Sequence, residues 1–545
     1  MDNTRQCKNC QQQFTIEPDD FSFYERIQVP PPTWCPDCRV MRRYAWRNDR
    51  NLYRRPCDLC GKSTVAMYST NKPFKVYCQG CWWSDKWDAS GFGRDYDPGR
   101  PFFEQFKELQ RIVPRIAMLG KNSVRSEYTN HSSDNKDCFM GSSNMSCENV
   151  LYSDFMISSR DCVDCSTMYT KGERCYQCIN VDNSYQCQYC ILMDNCANCF
   201  YCYDVRGCTD CFLSVNLRNK SNVFLNQQLS KEAYQKKVSE FKLGSHADRQ
   251  KLYAQFLELM RGAIYRYSCI ERSIDSTGSY IFDSKNTNFA FDADDCENVK
   301  YVANVEGGVK DVMDSYRNAR NIELVYESHA LIRVFDLKFC NITYDVSHLE
   351  YCDNCFNSQN LFGCIGLKKG EYMILNKKYS PEEFKQLKEK IIADMKTSGE
   401  YGEFFPMSLS PFELNETHVA LFMPEKITGK AATGTFGKET LLEIPDDIKN
   451  VQDDIIKQVL RCLTCQRNYN IVEPELAFYR REMIPIPRQC YPCRDAARIA
   501  LRAPRKLWHR TCMYPSGCSN EFETPYAPDR PEKIYCEEHY NAEIL

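Results

Sequence analysis

The side chains best suited to chemistry in this 545-residue chain are its 34 cysteines, many of them set in C-x2-C pairs. Near the N-terminus the pairs are Cys7 with Cys10, Cys35 with Cys38, Cys57 with Cys60, and Cys78 with Cys81. Near the C-terminus they are Cys462 with Cys465, Cys490 with Cys493, Cys512 with Cys518, and Cys536 with His539. Thiolates are soft donors, and a tetrahedral Zn²⁺ takes four of them, or three with one imidazole, in closed structural sites. Each end therefore offers two such sites, about four in all, filled either sequentially or in a cross-braced arrangement. A domain this small buries too little apolar surface to fold alone, so the metal would supply folding free energy.

The two ends are copies. Adding 455 to the residue number carries Cys7, Cys10, Cys35, Cys38 and Cys57 to Cys462, Cys465, Cys490, Cys493 and Cys512, and Phe23 and Tyr24 to Phe478 and Tyr479. Between Cys38 and Cys57 stand seven arginines against one acid, Asp49. Arg39, Arg43, Arg47, Arg50 and Arg54 follow a 4, 4, 3, 4 spacing that would share one helix face, and Arg494, Arg498, Arg502, Arg505 and His509 repeat it. Pro504 would end the second helix early. Tyr44, Trp46, Tyr53 and Trp508 interleave with these bases. Such a stripe could neutralise a nucleic-acid backbone while the rings stack on unpaired bases. The stripe's leading reading is therefore nucleic-acid contact, with docking onto acids of the same chain as the alternative, because eleven acids face only five basic residues between Tyr128 and Asn216.

Those contacts must be positioned by the middle of the chain, where C-x2-C recurs without hairpin-length gaps. Cys175 and Cys178 return as Cys196 and Cys199, and Cys187 and Cys190 return as Cys208 and Cys211, each after 21 residues, with the second pair offset by 12. A short fixed period predicts a solenoid, here a narrow parallel β-helix. The pattern resumes with fewer cysteines at "NVKYVAN", "NIELVYE", "NITYDVS" and "NLFGCIG". The thirteen cysteines from Cys138 to Cys211 fit an inward ladder of small apolar fillers, extra zinc ligands, or an iron–sulfur cluster. Residues from 216 parallel those from 366, and Ser230 and Ser380 read as helix caps that close each solenoid.

The fold class is thus mainly β with short helices, with duplicated double zinc-ribbon or treble-clef modules flanking two short parallel β-helix segments. The divisions are 1–98 for the first module, 99–122 for a bridging helix and 123–228 for the first solenoid. A helical connector (229–267), the second solenoid (268–378), a capping helix (379–400), an irregular linker (401–445) and the second module (446–545) follow. "RPFFEQFKELQRIV" predicts a helix ending at Pro114, "DDIKNVQDDIIKQVLRC" a helix feeding Cys462, and "ITGKAATGTFGKET" a flexible loop. The net charge of −3 excludes a protein that coats nucleic acid over its whole surface, so such a partner would meet a local patch. There is no apolar leader and no run of eighteen apolar residues, so a cytoplasmic protein with no membrane partner is expected. The sequence holds no HExxH, Walker loop or nucleophile elbow. The only acids suggesting a catalytic cluster are Asp292, Asp294 and Asp295, so no catalytic residue is assigned.

"VPPPTWCPDCRVMRR", "VYCQGCWWSDKWD", "RPFFEQF", "GEFFPMSLSPFELNET" and "FETPYAPDRPEKIYCEEHY" resemble an uncharacterised family of multi-zinc-ribbon, cysteine-rich repeat proteins from uncultivated small-genome bacteria of the candidate phyla. The resemblance spans nearly the whole chain and implies architecture and a cytoplasmic origin, but no reaction. The family usually has cysteine where this chain has His539, a substitution that zinc accepts. Three readings follow. The first is a non-enzymatic zinc protein gripping RNA or DNA through the arginine stripes. The second is a scaffold binding protein partners on its solenoid faces, and the third is a β-helix enzyme.

Overall fold

The computed structural model describes residues 3–319, 323–327, 329–339, 341, 343–427 and 443–545. The chain is mixed α/β, with many short strands and few short helices. Past Ile427, the glycine-rich stretch read as a loop lies outside the described residues, as do the first two residues of "NIELVYE".

Two parallel strand ladders occupy the centre. In the first, Cys199 pairs with Cys211 and Tyr203 with Val215; in the second, Phe291 pairs with Ala303 and Leu361 with Met373. The pairing step is 12 residues at most positions, with 11 between Ile270 and Ile281 and 13 between Arg160 and Glu173, in place of the 21-residue period taken from the cysteines. Within each 12-residue turn the backbone bends at every third residue: φ is 52° at Asn195, 53° at Asn198, 57° at Tyr201 and 53° at Asp204. Left-handed backbone costs an ordinary L-residue roughly 1–2 kcal/mol, least for Asn and Asp, whose short polar side chains bond locally. That explains why Asn and Asp crowd the bends. They also stack turn on turn: Asn198 donates to Asp210 at 3.1 Å and Asn298 to Asp311 at 3.1 Å.

The residue after each bend points inward, so a C-x2-C pair marks two successive sides of one turn. All thirteen cysteines from Cys138 to Cys211 are buried. Their thiols donate to main-chain carbonyls: Cys190 reaches Gln188 O at 3.3 Å and Cys199 O at 3.2 Å, and Cys196 reaches Asp194 O and Val205 O, both at 3.3 Å. Burial pushes the Cys138 thiol up to about 12 and Cys147 to about 11, which keeps both protonated. Deeper in the ladder, burial raises Cys162 and Cys178 well above the ordinary value. Against their burial, bonds between neighbouring thiols bring Cys165 and Cys202 down to about 6 and Cys211 to about 4. The filler reading of these cysteines therefore rests on burial and on the carbonyl contacts.

Each ladder ends in an antiparallel hairpin, Val223 against Gln228 and Met373 against Lys378, followed by a capped helix. Ser230 accepts from Ala233 N to open Lys231–Ser239, and Ser380 with Glu383 forms a capping box at Pro381–Ser398. The helix Phe102–Ile112 forms as expected and stops before Pro114. The helix expected before Cys462 does not form. Residues Ile448–Asn450 and Asp453–Lys457 are separate 3-10 turns, because Val451 between them is extended and buried with Ile448 and Ile455 in one apolar cluster.

The duplication covers the centre as well as the ends. Adding 150 carries Asp164 to Asp314, Tyr176 to Tyr326, Phe106 to Phe256 and Asn226 to Asn376. The packing crosses over between the copies. Phe102 meets Phe362 of the second ladder at 5.3 Å between ring centroids, whereas Phe256 meets Tyr201 of the first at 6.2 Å. Tyr24 packs on Tyr326 at 5.4 Å, and its copy Tyr479 packs on Tyr176 at 5.9 Å. These aromatic contacts thus seat the N-terminal module on the second ladder and the C-terminal module on the first, while Arg50 on Asp154 and Arg505 on Asp292 tie each module to its own half's ladder too.

Candidate metal centres and the arginine stripe

Four groups of side chains could each hold a metal ion: Cys7, Cys10, Cys35 and Cys38; Cys57, Cys60, Cys78 and Cys81; Cys462, Cys465, Cys490 and Cys493; and Cys512, Cys518, Cys536 and His539. In each, the donor atoms lie within 4.8 Å of one another, so the grouping is sequential rather than cross-braced. The local fold that builds them is the same four times. The first pair sits in the turn of a two-stranded hairpin, such as Tyr53–Pro56 against Ser63–Ala66. The second pair opens a helix, with Cys35, Cys78, Cys490 and Cys536 as N-caps. A helix N-terminus favours the negative charge a thiolate brings.

One thiol in each group is prepared for deprotonation. Burial alone would raise Cys57, but N–H donors from Cys78, Cys60 and Leu59 bring it down to about 6. The same balance of burial against main-chain donors leaves Cys462 at about 6, Cys7 at about 7 and Cys536 at about 7. Side-chain donors complete the shell: Asn9 reaches Cys38 Sγ at 3.2 Å and Asn520 reaches Cys536 Sγ at 3.6 Å. His539 stacks on Tyr514 with ring centroids 4.0 Å apart, which fixes the imidazole plane.

The arginines have a different setting from the solvent-facing stripe their spacing suggests. The helices cover Pro36–Tyr44 and Tyr491–Ala500, so they carry only Arg39, Arg43, Arg494 and Arg498 of the nine singled out. Arg47 and Arg50 lie in the turn beyond, Arg54 in the strand Tyr53–Pro56, and Arg502 and Arg505 past the second helix. His509 lies in the strand Trp508–Thr511 and is exposed.

Eight of the nine meet carboxylates of the same chain. Arg39 Nε donates to Asp314 at 2.8 Å and Arg43 approaches the same carboxylate at 3.3 Å. In the copy, Arg494 reaches Asp164 at 2.8 Å and Arg498 reaches it at 3.0 Å. Arg47 is 2.8 Å from Asp49, Arg50 is held between Asp154 and Asp495, and Arg502 and Arg505 share Asp292, the latter at 2.7 Å. Exposure is 2% at Arg39, 1% at Arg43 and 2% at Arg498, which leaves no surface for a phosphate. Burial opposes the charge on Arg39, yet Asp314 outweighs it and raises the group well above its ordinary value. Arg54 is the exception: it is exposed and its partner is the Tyr128 hydroxyl.

Sequence reasoning missed several members of this network. Arg42, off the presumed stripe, pairs with Glu327 at 2.6 Å and Glu403 at 2.6 Å. The acids themselves gave no signal except through the local excess of negative charge. Asp292, grouped above with Asp294 and Asp295, serves as an acceptor for arginine. Asp49 collects Arg47, His418 Nε2 at 3.0 Å, Arg317 at 3.3 Å and His131 Nε2 at 3.4 Å, joining groups scattered from residue 47 to 418. Desolvation holds His418 down to about 3 against the pull of Asp49, so its imidazole is neutral at ordinary pH.

The fold and site thus define a class: a cysteine-rich chain with four metal-capable groups, two in each terminal module, locked to a central pair of parallel ladders. No protein-family model, curated protein or solved structure matches the chain. No helix among the described residues is long and apolar enough to cross a membrane.

Proposed function

We propose that this protein is a zinc-held, non-enzymatic scaffold whose two ladders are four-sided β-solenoids presenting their outer surfaces to protein partners. Zinc fits the donor spacing. Bonds of about 2.3 Å at tetrahedral angles put sulfurs about 3.8 Å apart, and the observed distances are 3.7 Å for Cys10 to Cys35, 3.6 Å for Cys465 to Cys490 and 4.0 Å for Cys60 to Cys78. Cys512 lies 3.6 Å from His539 Nδ1, close to the shorter sulfur–nitrogen edge of such a site. The metal's part is structural: it fixes each hairpin and helix so that the arginines of the module meet carboxylates on a ladder.

The observation that carries the reading is the repeated lock, Arg39 and Arg43 on Asp314 and Arg494 and Arg498 on Asp164. Guanidinium groups committed in this way are structural members, which favours the scaffold over the nucleic-acid reading. That second reading is left with Arg54 as its exposed member of the stripe. The deciding experiment is anisotropy of a labelled single-stranded oligonucleotide across a salt series. The scaffold reading expects weak binding that is the same for native protein and for the Arg54→Gln variant. It also expects Arg39→Gln and Arg494→Gln to lower stability rather than affinity. Tight, salt-steep binding that disappears with Arg54→Gln would replace it with the nucleic-acid reading.

A further inference from the structure

The two ends of each ladder differ, and at the near end of the first the N-terminal module covers part of the edge: Val76 pairs with Arg115, and Gln79 Nε2 donates to Met118 O and Gly120 O, each at 3.2 Å. At the far end each has its hairpin and helix, but the first turn has no turn before it. In the first ladder the amides at the bends donate backwards: Asp134 N reaches Lys121 O at 2.9 Å and Asp137 N reaches Val124 O at 3.0 Å. The equivalent amides one turn earlier belong to Asn122 and Arg125, both at bends with φ 51° and 49°. Among the described residues these two N–H groups have no main-chain acceptor. Val124 between them is 52% exposed, and its copy in the second ladder, Ile274, is 62% exposed. An edge of this kind is a template for another strand.

This edge does not face open solvent alone. It forms one wall of a groove of about 500 Å³ whose other wall is the strand Ser63–Ala66 and the exposed Arg54. The groove is positive. Lys121 is exposed with no described carboxylate partner, Arg54 has only the Tyr128 hydroxyl, and Arg125 is paired with Asp137 at 2.5 Å and 2.7 Å. Glu127 is the one acid lining it. Two unused amides beside unmatched cations together describe a short, extended, acidic segment.

We infer that one side of the first turn of the first ladder, between the bends at Asn122 and Arg125, binds a short extended acidic segment of a partner protein by strand addition, with Arg54 and Lys121 reading its carboxylates. The inference rests on the scaffold reading and gives it a place and a partner chemistry. Its backbone bonds supply affinity and the two cations supply selection, as in other strand-addition sites.

The test uses the full-length, metal-loaded protein and a short fluorescein-labelled peptide alternating Glu and Val. Saturable anisotropy that weakens as salt rises is expected. The double variant Arg54→Glu, Lys121→Glu should bind roughly tenfold more weakly, the sum of two exposed ion pairs. The same peptide N-methylated at alternate amides keeps its charge but should also lose roughly tenfold or more, because it cannot pair with the edge. Three outcomes would overturn the inference: no saturable binding at millimolar peptide, equal binding of the methylated peptide, or a labelled oligonucleotide binding in the peptide's place. Metal content measured on the same samples separates the two ideas. A silent peptide with four metals retained removes the edge site alone, whereas a protein that holds no metal removes the scaffold reading itself.

Discussion

At the scale of single residues, the chain is held by charges placed where water cannot reach them. A buried carboxylate serving two guanidiniums cannot be removed quietly, because both cations would be left unpaired in a medium of low dielectric. Asp314→Ala and Asp164→Ala are each expected to lower unfolding free energy by about 3–5 kcal/mol, measured by urea titration. A loss below about 1 kcal/mol, the value of a surface pair, would mean that the lock is solvated. His418 makes a separate prediction with a definite sign. Its folded pKa of about 3 lies below its ordinary 6.5, so below pH 6.5 the unfolded chain binds the proton that the folded one refuses. Stability should therefore fall as pH drops from 6.5 towards 5, with this histidine contributing up to about 1.4 kcal/mol per pH unit. The His418→Gln variant should lack that share of the slope, while the remaining groups contribute alike to both proteins. Identical slopes for the two proteins would show that His418 is not neutral in the fold.

At the scale of elements, one spacing carries two meanings. A C-x2-C pair in a hairpin or at a helix start brings donors to one point, whereas the same pair in a ladder marks two successive sides of a turn. Cys57→Ser should release one of the four metals; Cys187→Ser should release none and change stability by no more than about 1–2 kcal/mol, since Ser153, Ser184 and Ser214 already occupy inward positions and donate to carbonyls as the thiols do. Elemental analysis of the purified variants decides it, and a metal lost with Cys187 would make the ladder a metal site. The four groups of metal-capable side chains were legible in the sequence because donor spacing is local chemistry. The 12-residue turn was present as the offset between pairs, but the 21-residue step, one turn plus three sides, was more visible. The reach of the arginine helix was not legible. The helix ends at Tyr44, and beyond it Asn48 Oδ1 accepts from Arg50 N at 3.2 Å and Asn51 N at 2.9 Å, a local turn that takes Arg50 off the helical path and that the arginine spacing conceals. The acceptors of the arginines lie hundreds of residues away, and no periodicity reports a contact of that kind.

At the scale of the whole molecule, the crossed packing makes each half depend on the other. The N-terminal module and the first ladder share a half-chain, yet Arg39 and Arg43 find Asp314 in the other half, and Asp164 waits for Arg494 and Arg498. Contacts within a half exist as well: Val76 pairs with Arg115 and Arg50 meets Asp154 in the first half, while Tyr265 pairs with Ile534 and Arg505 meets Asp292 in the second, so each module joins its own half's ladder to the opposite one. A chain divided in the turn at residues 240–244 and coexpressed as two pieces should therefore assemble one to one, which light scattering on a sizing column would measure. Asp314→Ala combined with Asp164→Ala should weaken that assembly, because it removes both locks together. The equivalence of the copies extends the argument to a single piece. Asp164 stands where Asp314 stands and Tyr176 where Tyr326 does, so the first half expressed alone offers its own module an equivalent seat on a second copy. It should self-associate rather than remain monomeric. Two halves that each fold as stable monomers would show that the modules close on their own ladders, and the crossed arrangement would then be lost.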